Sequence, residues 1–416
     1  MRLALFSLVV VIAAAAAPRP APAPAFRLPA PTGRFAVGTT SWYVIDSTRS
    51  ESFAPPRTLR MAEVVAWYPT ASTGTAGRPH APYLRESYAE SQTLATLMRR
   101  PGIFDSVAVV ETHSFLDRPI APDSATYPVL VFSHGFTAPA SAYTALLEDL
   151  ASHGYVVLSI VHPYEAVATR LQFGQIVTML DSAGAIRRGV LDVATEWREE
   201  DSTMARVTRA GDDAEQLRIL RAYFAGLTNT RGTIDRWVGD IKATLDKLSA
   251  LPPTSTGAEL ARRIDLSRVG VFGHSMGGVV SGQFCVEDRR CRAGLNLDGI
   301  PQSGTMIDTT MPRPFLMVYS GRPGRLGAND VVYRRAASAY YRVDVDSTRH
   351  LDFSDMPFWG GPLGEPNGHG SIPLARAVEV TRMIVREYFD QELRGKPSPL
   401  LAGTSRVPGV RARRAR

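Results

Sequence analysis

The chain has 416 residues, 44% of them hydrophobic and 21% charged, a balance that suits a folded protein with a large core and excludes a disordered or fibrous one. Its formal net charge is +7, but Arg406, Arg411, Arg413, Arg414 and Arg416 crowd into the last eleven residues and Arg2 stands near the start. Setting those six aside leaves a body close to neutral, so no nucleic-acid-binding face is implied and membrane contact is at most peripheral.

In chain order, Arg2, the apolar run Leu3–Ala13 and the alanines up to Ala17 read as a signal peptide over 1–17, which predicts a secreted or periplasmic protein. Residues 18–31 are rich in Pro and Ala and read as a stiff extended linker. A body over 32–395 then alternates strand-like and helix-like runs, the pattern of an α/β protein with a mainly parallel sheet. Met61–Tyr68 and Pro128–Ser133 are strand-like. Tyr143, Leu146, Leu147 and Leu150 keep helical spacing, and Gly154 is placed to end that helix. Tyr155–Val161 is the next strand. Residues 165–231 are charged, have helical potential and no strand signal, and are too long for a plain connection; they are expected to form a helical, cap-like insertion over the functional edge. An amphipathic helix runs through Ile234, Val238, Ile241, Leu245 and Leu248 to the stop at Pro252-Pro253. Ser267–Phe272, Ala293–Leu297, Pro314–Tyr319 and Tyr340–Val345 supply the remaining strands. Residues 396–416 read as a basic disordered tail. The two cysteines, Cys285 and Cys291, are expected to close a small disulfide loop in an oxidising compartment, and two cysteines without neighbouring histidines do not make a metal site.

The chemistry concentrates at Gly273-His-Ser275-Met-Gly277, directly after an apolar run and directly before a helix. That is the layout of a nucleophile elbow, in which small residues let the chain pass close to a serine on a tight turn. A serine hydroxyl needs a histidine base and a carboxylate to orient that base. His350 follows the Tyr340–Val345 strand, where the last strand presents its loop, and is preferred to His369 in its Gly/Pro-rich segment. Asp298 directly follows the first strand after the elbow and is the candidate acid. Asp344, Asp346 and Asp352 stand near His350 in sequence and are read as solvated surface groups. The oxyanion of acyl transfer needs two donors. The Met276 N–H beside the nucleophile is one, and the Phe136 N–H, after the close-packing Gly135, is the other. The side chains of His134 and His274 are read as packed groups behind the site. No cofactor and no metal is expected.

These residues together resemble the plasma-type platelet-activating factor acetylhydrolase family. The resemblance runs from about Gly33 to Glu392 and rests on Thr32-Gly-Arg-Phe-Ala-Val-Gly38, Ala66-Trp-Tyr-Pro69, Phe132-Ser-His-Gly-Phe136, Gly273-His-Ser-Met-Gly-Gly278 and Asp298. It implies the α/β-hydrolase fold, the triad Ser275, Asp298 and His350, and the donors Phe136 and Met276. It implies a serine esterase acting on small-molecule or lipid esters with short or oxidised acyl chains. Three positions depart from the family: Thr137 where a glycine is expected, the segment His162-Pro-Tyr-Glu165, and Met276 where vertebrate members carry an aromatic residue. The alternatives are a broad carboxylesterase, a cutinase-like polyester hydrolase, and a non-catalytic binding protein on the same fold. Cutinase-like enzymes share the Gly135–Ala138 loop pattern but carry their acid after the following strand, where this chain has none.

Overall fold

The computed structural model describes residues 26–414 except 74, 76, 85–86, 301–303, 322–327, 334 and 361–368. The expected signal peptide lies outside the described residues. In chain order the strands are β1 (Ala36–Ser50), β2 (Leu59–Thr70), β3 (His80–Pro82), β4 (Glu111–Leu116), β5 (Tyr127–Ser133), β6 (Val156–Val161), β7 (Ala168–Arg170), β8 (Ile176–Thr178), β9 (Ile264–His274), β10 (Cys291–Leu297), β11 (Phe315–Ser320), β12 (Tyr340–Val345) and β13 (Val410–Arg414). All but β7 and β8 join one sheet in the order β13-β12-β11-β10-β9-β5-β6-β2-β1-β4-β3. From β12 to β6 every neighbour is parallel, as the alternating pattern predicts. Antiparallel β2 and β1 extend one side and antiparallel β13 closes the other.

The central strands are apolar because both of their faces are covered. Every residue of β5 is buried. Val129 and Val131 pack with Trp237, Ile241 and Val280 on one face, while Leu130 and Phe132 pack with Leu147, Leu150 and Phe389 on the other. Gly154 ends the helix Thr144–Ser152 at φ 89°, a left-handed conformation that favours glycine. That helix leads from β5 to β6 on one side, whereas β9 and β10 lie on the other. The strand order thus reverses between β5 and β9, and the diverging connections open a crevice at the carboxyl ends of those strands.

Three segments differ from the sequence-based expectation. Residues 396–414 are not a disordered tail: Ser398, Leu400 and Leu401 are buried, and β13 adds to the sheet edge through Arg342↔Arg413 and Val343↔Ala412. Its arginines are also partnered, Arg411 with Asp346 at 2.5 Å and Arg413 with Asp344 at 3.3 Å. The last linker residues, 26–31, dock onto the body, with Leu28 buried and Arg382 donating to the carbonyls of Pro29 and Ala30. The insertion carries the expected helices Arg188–Glu196, Glu200–Arg209 and Asp213–Ala225, but also the small hairpin β7–β8. Strands of three residues are too short to show a period, so only their pairing defines them. The expected disulfide is formed: Cys285 and Cys291, with Cα atoms 5.0 Å apart, join the end of the helix Met276–Glu287 to the start of β10. Closing so short a loop contributes roughly 2 kcal/mol.

Two carboxyl groups are buried behind the crevice. Glu148 accepts from the His113 N–H at 2.8 Å and the Ser114 hydroxyl at 2.5 Å, while its Oε2 meets no hydrogen-bond partner among the described residues. Asp355 accepts from the Ala145 N–H at 3.1 Å. Burial pushes each of them up to about 7. A carboxyl raised in the folded state stabilises fully below its ordinary pKa, and that contribution is lost as pH rises through the raised value. The melting temperature is therefore expected to fall as pH rises from about 4.5 to about 7, and to show no further fall from these groups above that. Glu148→Gln, which cannot ionise, should flatten that fall by an amount on the order of 3 kcal/mol. Equal pH slopes for the two proteins would count against this account.

Candidate active site

The turn after β9 is where the chain is most constrained. Ser275 has φ 56° and ψ −121° and stands directly before the helix Met276–Glu287. Three glycines make this turn possible. A Cβ on Gly277 would lie 2.0 Å from the Ser133 carbonyl oxygen, one on Gly273 2.3 Å from the Gly277 backbone, and one on Gly278 2.1 Å from Asn296 Oδ1. Other left-handed residues share this edge: Thr137 after β5 (φ 60°), Tyr164 after β6 (65°), Asp298 after β10 (56°) and Ser347 after β12 (61°). Each such residue costs about 1–3 kcal/mol and persists because surrounding contacts hold it. Strain thus accumulates along the carboxyl ends of the parallel strands.

The structure pairs two of the residues singled out in the sequence, Asp298 and His350. Asp298 follows β10 next to the elbow, where the Ser275 N–H donates to the Leu297 carbonyl at 2.9 Å. The Asp298 side chain is buried, and its Oδ1 accepts from the Ser320 N–H at 2.8 Å. Its Oδ2 lies 2.8 Å from His350 Nδ1, while the His350 side chain keeps 24% of its surface exposed. With Nδ1–H donated to the carboxylate, His350 Nε2 is the free base position. The other acids near His350 are engaged elsewhere. Asp344 pairs with Arg342, Asp346 with Arg411, and Asp352 with His369 Nδ1 at 2.6 Å. Asp344 and Asp352 are buried rather than solvated, contrary to expectation. His369 is held by Asp352 rather than by the Asp298 pair.

Of the oxyanion candidates, Met276 directly follows Ser275, and Phe136 follows Gly135 just past the end of β5. The Met276 N–H belongs to the first helical turn and has no intrahelical acceptor. Among the described residues, no backbone carbonyl accepts the Phe136 N–H. Gly135 brings the loop close, since a Cβ there would lie 3.5 Å from Ser275 Cβ. The Thr137 N–H donates to the Glu165 carbonyl at 2.9 Å. The buried Glu165 carboxylate accepts from Thr233 at 3.1 Å and the Trp237 indole at 2.8 Å, and pairs with Arg236. Two of the departures from the family pattern, Thr137 and the His162–Glu165 segment, are therefore in contact, and the second holds the strained first. The Phe136 ring meets Trp197 of the insertion edge-on, with centroids 5.4 Å apart. Trp197 is fixed by its indole N–H on Thr230 at 3.0 Å, and the preceding Glu196 accepts from the Asn229 and Thr230 N–H groups at 2.8 and 2.9 Å.

Sequence reasoning missed the groups beneath this loop. Ser133 Oγ lies 3.3 Å from His162 Nε2, and His162 Nδ1 lies 2.8 Å from Asp240 Oδ2. That is a second Ser-His-Asp set, stacked under Trp237 at 3.8 Å and buried throughout, so no substrate reaches it. Burial keeps His162 neutral by lowering its pKa. Burial would raise Asp240, but Arg60 and His162 hold it below the usual carboxylate range. His134 is likewise held at about 3, by burial and by neighbouring His162. Neutral His134 donates from Nδ1 to the Gly135 carbonyl at 2.7 Å and accepts the His162 N–H at Nε2, 3.2 Å away. Residue-type spacing carries no sign of these contacts. Among the described residues, no cluster of three or more His, Cys, Asp or Glu is arranged to hold a metal ion.

A family model described as platelet-activating factor acetylhydrolase, isoform II, matches residues 23–363. A relative from Arthroderma benhamiae, named probable 1-alkyl-2-acetylglycerophosphocholine esterase, is 24% identical over 312 residues, covering 69% of this chain and 66% of the relative. The platelet-activating factor acetylhydrolase of Cavia porcellus is 28% identical over 245 residues, covering 57% of this chain and 50% of the relative. The matches thus span between half and two thirds of these relatives' lengths. A solved ferulic acid esterase from Streptomyces cinnamoneus superposes with a TM-score of 0.69 at 26% identity, over 93% of this chain and 98% of that one.

Proposed function

The chain belongs to the platelet-activating factor acetylhydrolase, isoform II, family, and on that premise we propose that it is an exported serine esterase that cleaves carboxylic esters through an acyl-enzyme. The observation that carries this reading is the 2.8 Å bond from His350 Nδ1 to Asp298 Oδ2 beside the constrained Ser275 turn. His350 Nε2 takes the Ser275 proton as Oγ attacks the ester carbonyl. The N–H groups of Phe136 and Met276 receive the oxyanion. His350 then protonates the leaving alcohol, and water, activated by the same nitrogen, releases the acid and restores Ser275. No metal or cofactor takes part in this sequence of steps.

The preferred substrate is a short or oxidised acyl ester on a lipid-like alcohol, a reading supported by the acetyl ester in the names of the Arthroderma and Cavia relatives. Among the described residues no helix is long and apolar enough to cross a membrane. A second reading, a broad carboxylesterase acting on aryl or polymer esters, is favoured by the ferulic acid esterase likeness and by the Phe136–Trp197 pair at the oxyanion loop. A substrate panel separates the two. The first reading expects a higher kcat/KM on 1-alkyl-2-acetylglycerophosphocholine than on methyl ferulate or a soluble polyester oligomer. Turnover of p-nitrophenyl acetate and methyl ferulate with an intact phospholipid would reject the lipid reading. A folded protein that neither turns over any of them nor takes up a fluorophosphonate at Ser275 would point to a binding protein instead.

A further inference from the structure

His274, the variable residue of the elbow motif, sits between the two halves of the site. Its Nε2 lies 2.8 Å from the His350 carbonyl oxygen. A carbonyl only accepts, so Nε2 carries the proton. In the neutral ring Nδ1 is then an acceptor, and it lies 2.9 Å from the Tyr143 hydroxyl. That hydroxyl accepts the Gly135 N–H at 3.0 Å, which leaves its own proton for His274. Every donor and acceptor along this line is assigned without conflict. Burial pushes the Tyr143 phenol far above its ordinary pKa, so it keeps the proton it donates. The His274 and His350 rings also face each other, with centroids 4.5 Å apart, and the Tyr143 ring is packed on Phe132 at 4.8 Å. Gly135 is small where it must be: a Cβ there would stand 3.1 Å from the Tyr143 oxygen and 3.2 Å from His274 Nδ1.

We propose that Tyr143 and His274 are positioning residues that tie the oxyanion loop to the base, so that the Phe136 N–H and the His350 ring are held as one unit about Ser275. The line runs from the Gly135 N–H through the Tyr143 hydroxyl and the His274 ring to the His350 backbone. Gly135 immediately precedes the donor Phe136, and the fixed carbonyl belongs to the residue that carries the base. Neither Tyr143 nor His274 touches the reacting atoms in this scheme. Both act through the placement of groups that do, where a displacement of about 1 Å costs roughly 100-fold in rate. The inference rests on the serine esterase reading above.

The test uses full-length protein, a p-nitrophenyl short-chain ester and four variants, with Ser275→Ala as the floor. Tyr143→Phe keeps the ring and removes both hydrogen bonds. It is expected to lower kcat roughly 10- to 100-fold with KM within about twofold, and without a matching loss of melting temperature. His274→Gln, whose amide can still donate near the Nε2 position, should retain more activity than His274→Leu. Because the contacts form one line, Tyr143→Phe combined with His274→Leu should cost little more than His274→Leu alone. Wild-type kcat in Tyr143→Phe, fully multiplicative losses in the double variant, or losses that only track the folded fraction would each overturn the proposal while leaving the esterase reading intact. Wild-type protein no faster than Ser275→Ala would overturn both.

Discussion

Replacing Ser275 by alanine is expected to reduce kcat/KM for an ester substrate by roughly 10⁶-fold, to the level left by substrate binding and the oxyanion donors. The change removes one oxygen from a half-buried side chain, and the surrounding glycines still permit the turn, so the melting temperature should stay within a few degrees. Alanine inherits the same left-handed backbone at φ 56°, so no new strain is introduced. A fluorophosphonate probe should label the native protein and fail on the variant. If Ser275→Ala kept more than about one hundredth of the native rate, the nucleophile would have to be sought elsewhere.

Asp298→Asn is expected to cost roughly 10⁴-fold in kcat for a different reason. Asp298 Oδ1 is committed to the Ser320 N–H at 2.8 Å and must remain an oxygen. The introduced amide nitrogen therefore faces His350 Nδ1, where Oδ2 stood at 2.8 Å. A donor there forces the histidine proton onto Nε2, and that nitrogen can no longer accept the Ser275 proton. The fold should survive, because size and the Ser320 bond are kept. The measurement is kcat at neutral pH beside the thermal melt. A loss below about tenfold with an intact melt would show that Asp298 does not set the tautomer of the base.

How much of the candidate site could be read from the sequence follows from how local each requirement is. The elbow was legible because three glycines within six residues are demanded by close contacts, Gly273 and Gly277 against backbone at 2.3 and 2.0 Å and Gly278 against the Asn296 side chain at 2.1 Å. Asp298 was legible because an acid at a strand end needs only the strand to be recognised. Central strands such as β5 and β6 were legible because burial on both faces requires largely apolar runs. By contrast, β1 is rich in Thr and Ser, and only pairing with β2 along most of its length makes it a strand. β13 reads as a solvated basic tail until β12 supplies its partner.

Composition, strand order and the elbow by themselves determined the α/β architecture, the candidate nucleophile, base and acid, and the class of chemistry. They could do so because each depends on neighbours within a few residues, or on the order of elements along the chain. The tertiary structure alone decided what holds those groups in place. Tyr143 meets His274 across 131 positions, and Glu165 meets Trp237 across 72. The Ser133-His162-Asp240 set has the residue types of a triad, yet burial makes it a support. Contacts between distant segments, and the access of solvent to a side chain, are properties of the packed chain. Nothing in the spacing of residue types records them.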